Sequence, residues 1–306
     1  MCGRFSRPVG VDTRIPIGRD KSTPIELFCE DQGAGTPVVL VPGWPLGGTS
    51  WRKQTAALMA DGYRVVAYDR RGFGRSSKPM TGYDYDTLAD DLHKVLTHLD
   101  LRDTALVGFS MGAGEVVRYL HAYGSRRVSC AVLIGSLPPF LPKTADDPAG
   151  LDAAVFDAIR EALISDRAGY LSTFFSDLCD VDALAADPVG TELIESSREV
   201  AATASPTAML ECVSAWLTDF RRELSTIDVP TLIVHGDADR LFPLAATALP
   251  LHAAVKDSEL VVVEGGPHGV IWTHADHVND ALLRFLRRHG SSTPLRTRPT
   301  TRSPEE

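Results

Sequence analysis

Apolar residues along this chain follow two periods. Short runs rich in β-branched residues read as buried parallel strands: Val38–Val41, Arg64–Tyr68, Ala105–Phe109, Ala131–Ile134, Leu232–Val234 and Leu260–Val263. Between them the spacing changes to three and four. Leu88, Leu92, Val95, Leu96 and Leu99 fall on one face of a helix, as do Val278, Ala281, Leu282, Phe285 and Leu286. Strand and helix in alternation predict an α/β fold, a mainly parallel sheet with helices on both sides. Val11–Ile17 and Ile25–Glu30 predict a leading antiparallel pair. From Leu137 to Thr226 the alternation stops, and the text is helix-like without a convincing strand.

This divides the chain into a weakly patterned extension over 1–24, a core over 25–136, a helical insert over 137–226, a second part of the core over 227–290 and a tail over 291–306. The tail is Ser, Thr, Pro, Arg and Glu with a single Leu295, and is expected to be disordered. A helical insert between two strands of a parallel sheet lies at one end of it. Ligands in such folds bind outside the carboxyl ends of the strands, so the insert is expected to cap that crevice.

Composition narrows the class. A hydrophobic content of 44% with 23% charged residues is that of a globular protein. The balance of 31 basic to 40 acidic residues, net −9, argues against a nucleic-acid partner. The insert carries sixteen acidic against six basic residues, so the negative balance lives there. Solvated helix surface accounts for such charge; a cap that disfavours anionic substrates is the functional reading. No apolar run approaches the roughly 18 residues of a membrane span. The basic N-terminus has no apolar stretch behind it, so no secretory signal is expected. Cys2, Cys29, Cys130, Cys179 and Cys212 are scattered and odd in number, as for reduced thiols of a cytoplasmic protein.

The candidate chemistry centres on Gly108-Phe109-Ser110-Met111-Gly112. An apolar strand leads in and a helical stretch from Glu115 to Leu120 follows, the context of a nucleophile elbow. The serine of such an elbow sits on a strained turn, so its neighbours two residues away must be small. Gly114 is expected to let the helix pack close to the sheet. Neither Gly112-Ala113-Gly114 nor Gly72-Phe73-Gly74 completes a dinucleotide fingerprint, because Val117 and Ser77 stand where the third glycine belongs. A serine alcohol needs a base, and the base an acid. His268 follows the strand 260–263, and Asp237 and Asp239 follow the strand 232–234, in the order Ser, Asp, His. For the oxyanion, the N–H of Met111 is one donor. The other comes from the loop Val41–Gly48, where Pro42 and Pro45 lack an N–H and Trp44 is the natural choice. His274 and His277 could share a helix face but lack a partner cluster for a metal.

These residues resemble α/β-hydrolases of the cofactor-free haloperoxidase, or perhydrolase and arylesterase, branch. The matching text is Gly43-Trp44-Pro45-Leu46, Tyr68 to Ser76, Gly82 to Asp86, the elbow, Gly236-x-x-Asp239 and Pro267-His268-Gly269. The resemblance implies Ser110 as nucleophile, Asp239 rather than Asp237 as acid, His268 as base, and Trp44 and Met111 as oxyanion donors. It implies no cofactor and no metal. The chain departs from the family at Pro42, where the usual residue is His. A second resemblance, of Met1-Cys2-Gly3-Arg4-Phe5 to proteins that crosslink abasic DNA, is set aside because nothing else in the chain fits it.

The expected function is therefore a serine hydrolase of small esters or lactones acting through an acyl-enzyme. The resemblance also implies perhydrolysis as a side activity, which goes with Trp-Pro at this place in the family. Pro45 restricts the Trp44 backbone and removes an N–H, and the alternative is that it only stiffens the loop. The competing readings are hydrolysis of another acyl or carbon–carbon bond, and a ligand-binding protein on the same fold. Ser110 disfavours dehalogenase and epoxide-hydrolase chemistry, which place Asp there. The sequence leaves the oligomeric state open.

Overall fold

Ser110, Asp239 and His268 meet because the three strands that lead to them end at one edge of a single sheet. In a computed structural model, described over residues 10–145, 148, 150–179 and 188–290, eight strands form that sheet. They are β1 (Val11–Asp20), β2 (Thr23–Gln32), β3 (Pro37–Val41), β4 (Arg64–Tyr68), β5 (Thr104–Phe109), β6 (Val128–Ile134), β7 (Thr231–Gly236) and β8 (Ser258–Val263). Their order is β1-β2-β4-β3-β5-β6-β7-β8. β1 and β2 pair antiparallel, as do β2 and β4, and every other pairing is parallel. The burial of each run fits its place. β5 is buried at every position, whereas the edge strand β1 buries only Ile15 and Ile17.

The boundary expected at residue 25 needs correction. β1 lies within the segment read as a weakly patterned extension, yet it is part of the sheet. An edge strand with one face against protein and one against water carries few apolar residues, which is why its pattern is weak. The Cys2 motif and the tail from 291 lie outside the described residues.

Helices α1 (Arg52–Ala60), α2 (Tyr85–His98) and α3 (Met111–Tyr123) connect strands of the first half. Asp84 caps α2 by accepting the Thr87 N–H at 2.9 Å. Leu88, Leu92, Val95 and Leu96 turn inward from α2, and Leu99 follows its end. Within the insert lie α4 (Ala153–Ser165), α5 (Arg167–Leu178), α6 (Pro188–Thr203) and α7 (Pro206–Ala215). Two of the insert's acids, Asp152 and Asp166, cap α4 and α5. Part of its negative charge is thus spent on helix starts. After it come α8 (Ala248–Ala254), α9 (Val270–Thr273) and α10 (Ala275–His289). α1 packs with α10, and α2 with α3, giving the two helical layers. Among the described residues no helix is long and apolar enough to cross a membrane.

The register fixes where the loops open. Val41 pairs with Gly108, Phe109 with Ile134, Ile134 with Val234, and Gly236 with Val263. The loops after β3, β5, β7 and β8 therefore emerge side by side, and chain order reverses between β3 and β5, where a crevice is expected.

Candidate active site

Ser110 is the single residue between β5 and α3, with φ 54° and ψ −121°. A non-glycine residue held there costs roughly 1–3 kcal/mol and persists only when its surroundings over-determine it. The surroundings are the two glycines. A Cβ on Gly108 would lie 2.5 Å from the Gly112 carbonyl oxygen, and one on Gly112 would lie 2.4 Å from that of Val41. Gly114 acts differently from the sequence expectation. What its missing Cβ admits is the ring of Tyr85 from α2, at 2.6 Å, rather than the sheet.

His268 stands after β8 and is 1% exposed. Its Nε2 lies 2.9 Å from Ser110 Oγ and its Nδ1 lies 2.7 Å from Asp239 Oδ2. With the proton on Nδ1, the ring donates to the carboxylate and accepts from the serine hydroxyl. Phe109 and Phe242 flank the imidazole at 5.1 and 4.9 Å between ring centroids. Asp239 Oδ1 accepts the N–H groups of Leu241 at 2.9 Å and Phe242 at 2.8 Å. Burial pushes its carboxyl upward, but the charge of His268 and hydrogen bonds from His235 and His268 outweigh burial. They hold Asp239 well below the usual carboxylate range. Asp237 is elsewhere. It is exposed and accepts the Gly265 N–H at 2.7 Å, closing the turn before His268.

Sequence reasoning missed His235. Its Nε2 lies 2.8 Å from the Phe242 carbonyl oxygen and 3.2 Å from Asp239 Oδ2, so the acid sits between two imidazoles. The signal was present as a histidine four residues before Asp239.

The loop after β3 lies against the serine, since a Cβ on Gly43 would come 3.1 Å from Ser110 Cβ. The Trp44–Pro45 bond is cis. Among the described residues, the backbone N–H groups of Trp44 and Met111 find no acceptor, which leaves both free for a ligand. The Trp44 indole is buried against the insert. Phe174 of α5 and Trp216, which follows α7, meet it edge-on at 5.2 and 5.0 Å. Trp216 in turn meets Phe242 at 5.9 Å. Ser110 is 3% exposed and lies beneath an aromatic wall supplied largely by the insert.

Several bonds seat the insert on this edge. The Gly269 N–H donates to the Leu178 carbonyl, the Ser205 N–H to that of Gly72, and Arg118 of α3 pairs with Glu223 at 2.7 Å. His274 and His277 stand at the start of α10, with ring centroids 6.3 Å apart. Among the described residues no group of three or more His, Cys, Asp or Glu side chains could hold a metal ion.

The sequence profile of the alpha/beta hydrolase fold matches residues 36–275. A Synechocystis sp. protein assigned as a non-heme chloroperoxidase is 54% identical over 273 residues, which are 89% of this chain and 99% of that protein. The bifunctional esterase/perhydrolase of Acinetobacter calcoaceticus is 34% identical over 270 residues, covering 86% of this chain and 96% of its own. The crystal structure of a bromoperoxidase from Bacillus anthracis superposes with a TM-score of 0.84 at 42% identity, over 90% of this chain and 100% of that one.

Proposed function

Because the chain belongs to the α/β-hydrolase family, and within it to the branch of cofactor-free haloperoxidases, we propose that it is a serine hydrolase of small carboxylic esters and lactones whose acyl-enzyme also reacts with hydrogen peroxide. The observation that carries this reading is the continuous chain of hydrogen bonds from Ser110 through His268 to Asp239. Ser110 Oγ attacks the acyl carbon while its proton passes to His268 Nε2. The resulting oxyanion accepts from the Trp44 and Met111 N–H groups, which cost no reorganisation because neither is engaged among the described residues. His268 then gives its proton to the departing alkoxide, leaving an acyl ester on Ser110. Asp239, ionised and fixed by two backbone N–H groups, holds the imidazole tautomer and stabilises the imidazolium.

Water activated by His268 releases the acid and restores Ser110. Hydrogen peroxide in its place releases a peracid. The peracid oxidises bromide to hypobromous acid and is itself reduced to the carboxylic acid, so no metal or haem is required of the protein. The Acinetobacter relative, described as both esterase and perhydrolase, supports the pairing of the two activities. The insert over 137–226 acts as the cap, and its aromatic side chains bound the acyl group. The four described cysteines are buried and none of them is in a disulfide. That suits a reducing compartment, and we place the enzyme in the cytoplasm.

The test is Ser110→Ala. Hydrolysis of p-nitrophenyl acetate and bromination of monochlorodimedone with acetate and peroxide should both fall by a factor on the order of 10⁴–10⁶. A fluorophosphonate probe should label the wild type at Ser110 and not the variant. Retention of either activity in a pure, folded sample would sink the serine mechanism.

A further inference from the structure

Two consecutive side chains, Asp69 and Arg70, leave the end of β4 and reach the loop after β3. Asp69 accepts the Gly48 N–H at 2.8 Å and so holds the far end of that loop. The near end is held by Arg70, which is 1% exposed. Its Nε donates to Glu115 Oε1, and the Tyr68 hydroxyl donates to Glu115 Oε2 at 2.9 Å. Its Nη2 donates to the Pro42 carbonyl and its Nη1 to the Gly43 carbonyl at 3.4 Å. The Gly43 carbonyl also accepts the Leu46 N–H at 3.0 Å.

A buried ion pair of this kind is a weak source of stability, because desolvating both charges offsets their attraction. Its geometry has a sharper consequence. In a planar trans peptide the C=O and the next N–H point in opposite directions. Fixing the Gly43 oxygen on Arg70 and Leu46 therefore aims the Trp44 N–H the other way. Glu115 belongs to α3, the helix that begins at Met111. The pair thus connects the loop bearing one free N–H to the helix bearing the other. Pro42 suits this role, because only its carbonyl takes part.

We propose that Arg70 is a positioning residue for transition-state stabilisation: its planar fork, braced by Glu115, sets the direction of the Trp44 N–H and its separation from the Met111 N–H. The inference rests on the hydrolase reading. Arg70 touches no substrate and acts through the Gly43–Trp44 peptide. Lysine keeps the charge but offers no rigid fork to satisfy a carboxylate and two carbonyls together.

Two variants test it, each checked for native near-ultraviolet circular dichroism. Arg70→Lys should lower kcat for p-nitrophenyl acetate roughly ten- to a hundredfold, somewhat less than outright loss of an oxyanion donor, with KM within about threefold. Affinity for a phenylboronic acid, whose serine adduct places an oxygen in the same position, should fall by the same factor. Arg70→Met combined with Glu115→Leu removes both charges together and should keep the fold. It should show at least the same loss in kcat and in boronate affinity. A folded variant of either kind with kcat and boronate affinity within about twofold of wild type overturns the proposal, as does a loss carried by KM alone. A wild type that neither hydrolyses the ester nor is labelled at Ser110 removes the hydrolase reading and this inference with it. An active, labelled wild type with unaffected variants removes the inference only.

Discussion

Asp237 and Asp239 stand two residues apart and do different physical work. Asp239 is engaged through both oxygens, one on backbone N–H groups and one between His235 and His268. In Asp239→Asn the amide oxygen can keep the backbone bonds, leaving an NH₂ group opposite His268 Nδ1. That favours the tautomer that can no longer accept the serine proton. We expect kcat to fall by a factor on the order of 10³–10⁴, with the thermal midpoint nearly unchanged. In Asp237→Asn the bond from the Gly265 N–H loses its charge assistance. That should cost about 1 kcal/mol of stability and leave turnover close to wild type. Steady-state kinetics and thermal melts of the two variants check this, and the opposite pattern would show that Asp237 is the acid.

At the scale of elements, what could be read in the sequence was what the backbone imposes locally. The central parallel strands announce themselves, because runs such as Val38–Val41 are buried on both faces and have no polar option, whereas the edge strand β1, with one face to water, is only weakly marked. The elbow is equally legible, since only glycine fits at 108 and 112. Less legible were contacts that depend on how distant elements pack. Gly114 makes room for Tyr85 on another helix, and Glu115 faces Arg70 from another strand end, and no local pattern marks either partner. The same holds for the insert, whose helices were expected but whose inward side chains were not. Phe174 of α5 is 5% exposed and seated on Trp44. Phe174→Ala should open space beside the acyl group at a cost of about 3–5 kcal/mol in stability. The ratio of kcat/KM for p-nitrophenyl hexanoate over acetate should rise by roughly tenfold, since each added methylene then gains apolar contact. A chain-length series measures it, and an unchanged ratio would place the acyl group elsewhere.

Taken as a whole, the molecule is electrically lopsided. The insert carries a net −10, sixteen acidic against six basic side chains, whereas the entire chain is −9. Helix capping by Asp152 and Asp166 accounts for part of this, but Asp157, Glu161, Asp177, Glu195 and Glu211 stand exposed on the same unit. Their field should repel a carboxylate approaching Ser110 through the insert. A p-nitrophenyl hemisuccinate ester should therefore be a poorer substrate than the neutral acetate at low salt. The gap should narrow severalfold as ionic strength rises to about 0.5 M, where screening confines such fields to a few ångströms. A salt-independent ratio of kcat/KM would mean that the acidity is only solvated surface. The insert also has a temporal meaning. Ser110 and His268 are 158 residues apart, and β7 must return to β6 across the whole of the insert before acid or base can reach the serine. Closing a long loop costs little more than closing a shorter one, about 0.6 kcal/mol per doubling, but it cannot happen until the loop has been made. During synthesis the nucleophile leaves the ribosome first, the cap follows, and Asp239 and His268 arrive last. With the proposed triad, a nascent chain should thus be chemically silent for most of its elongation, and its esterase should switch on only as β7 and β8 join the sheet.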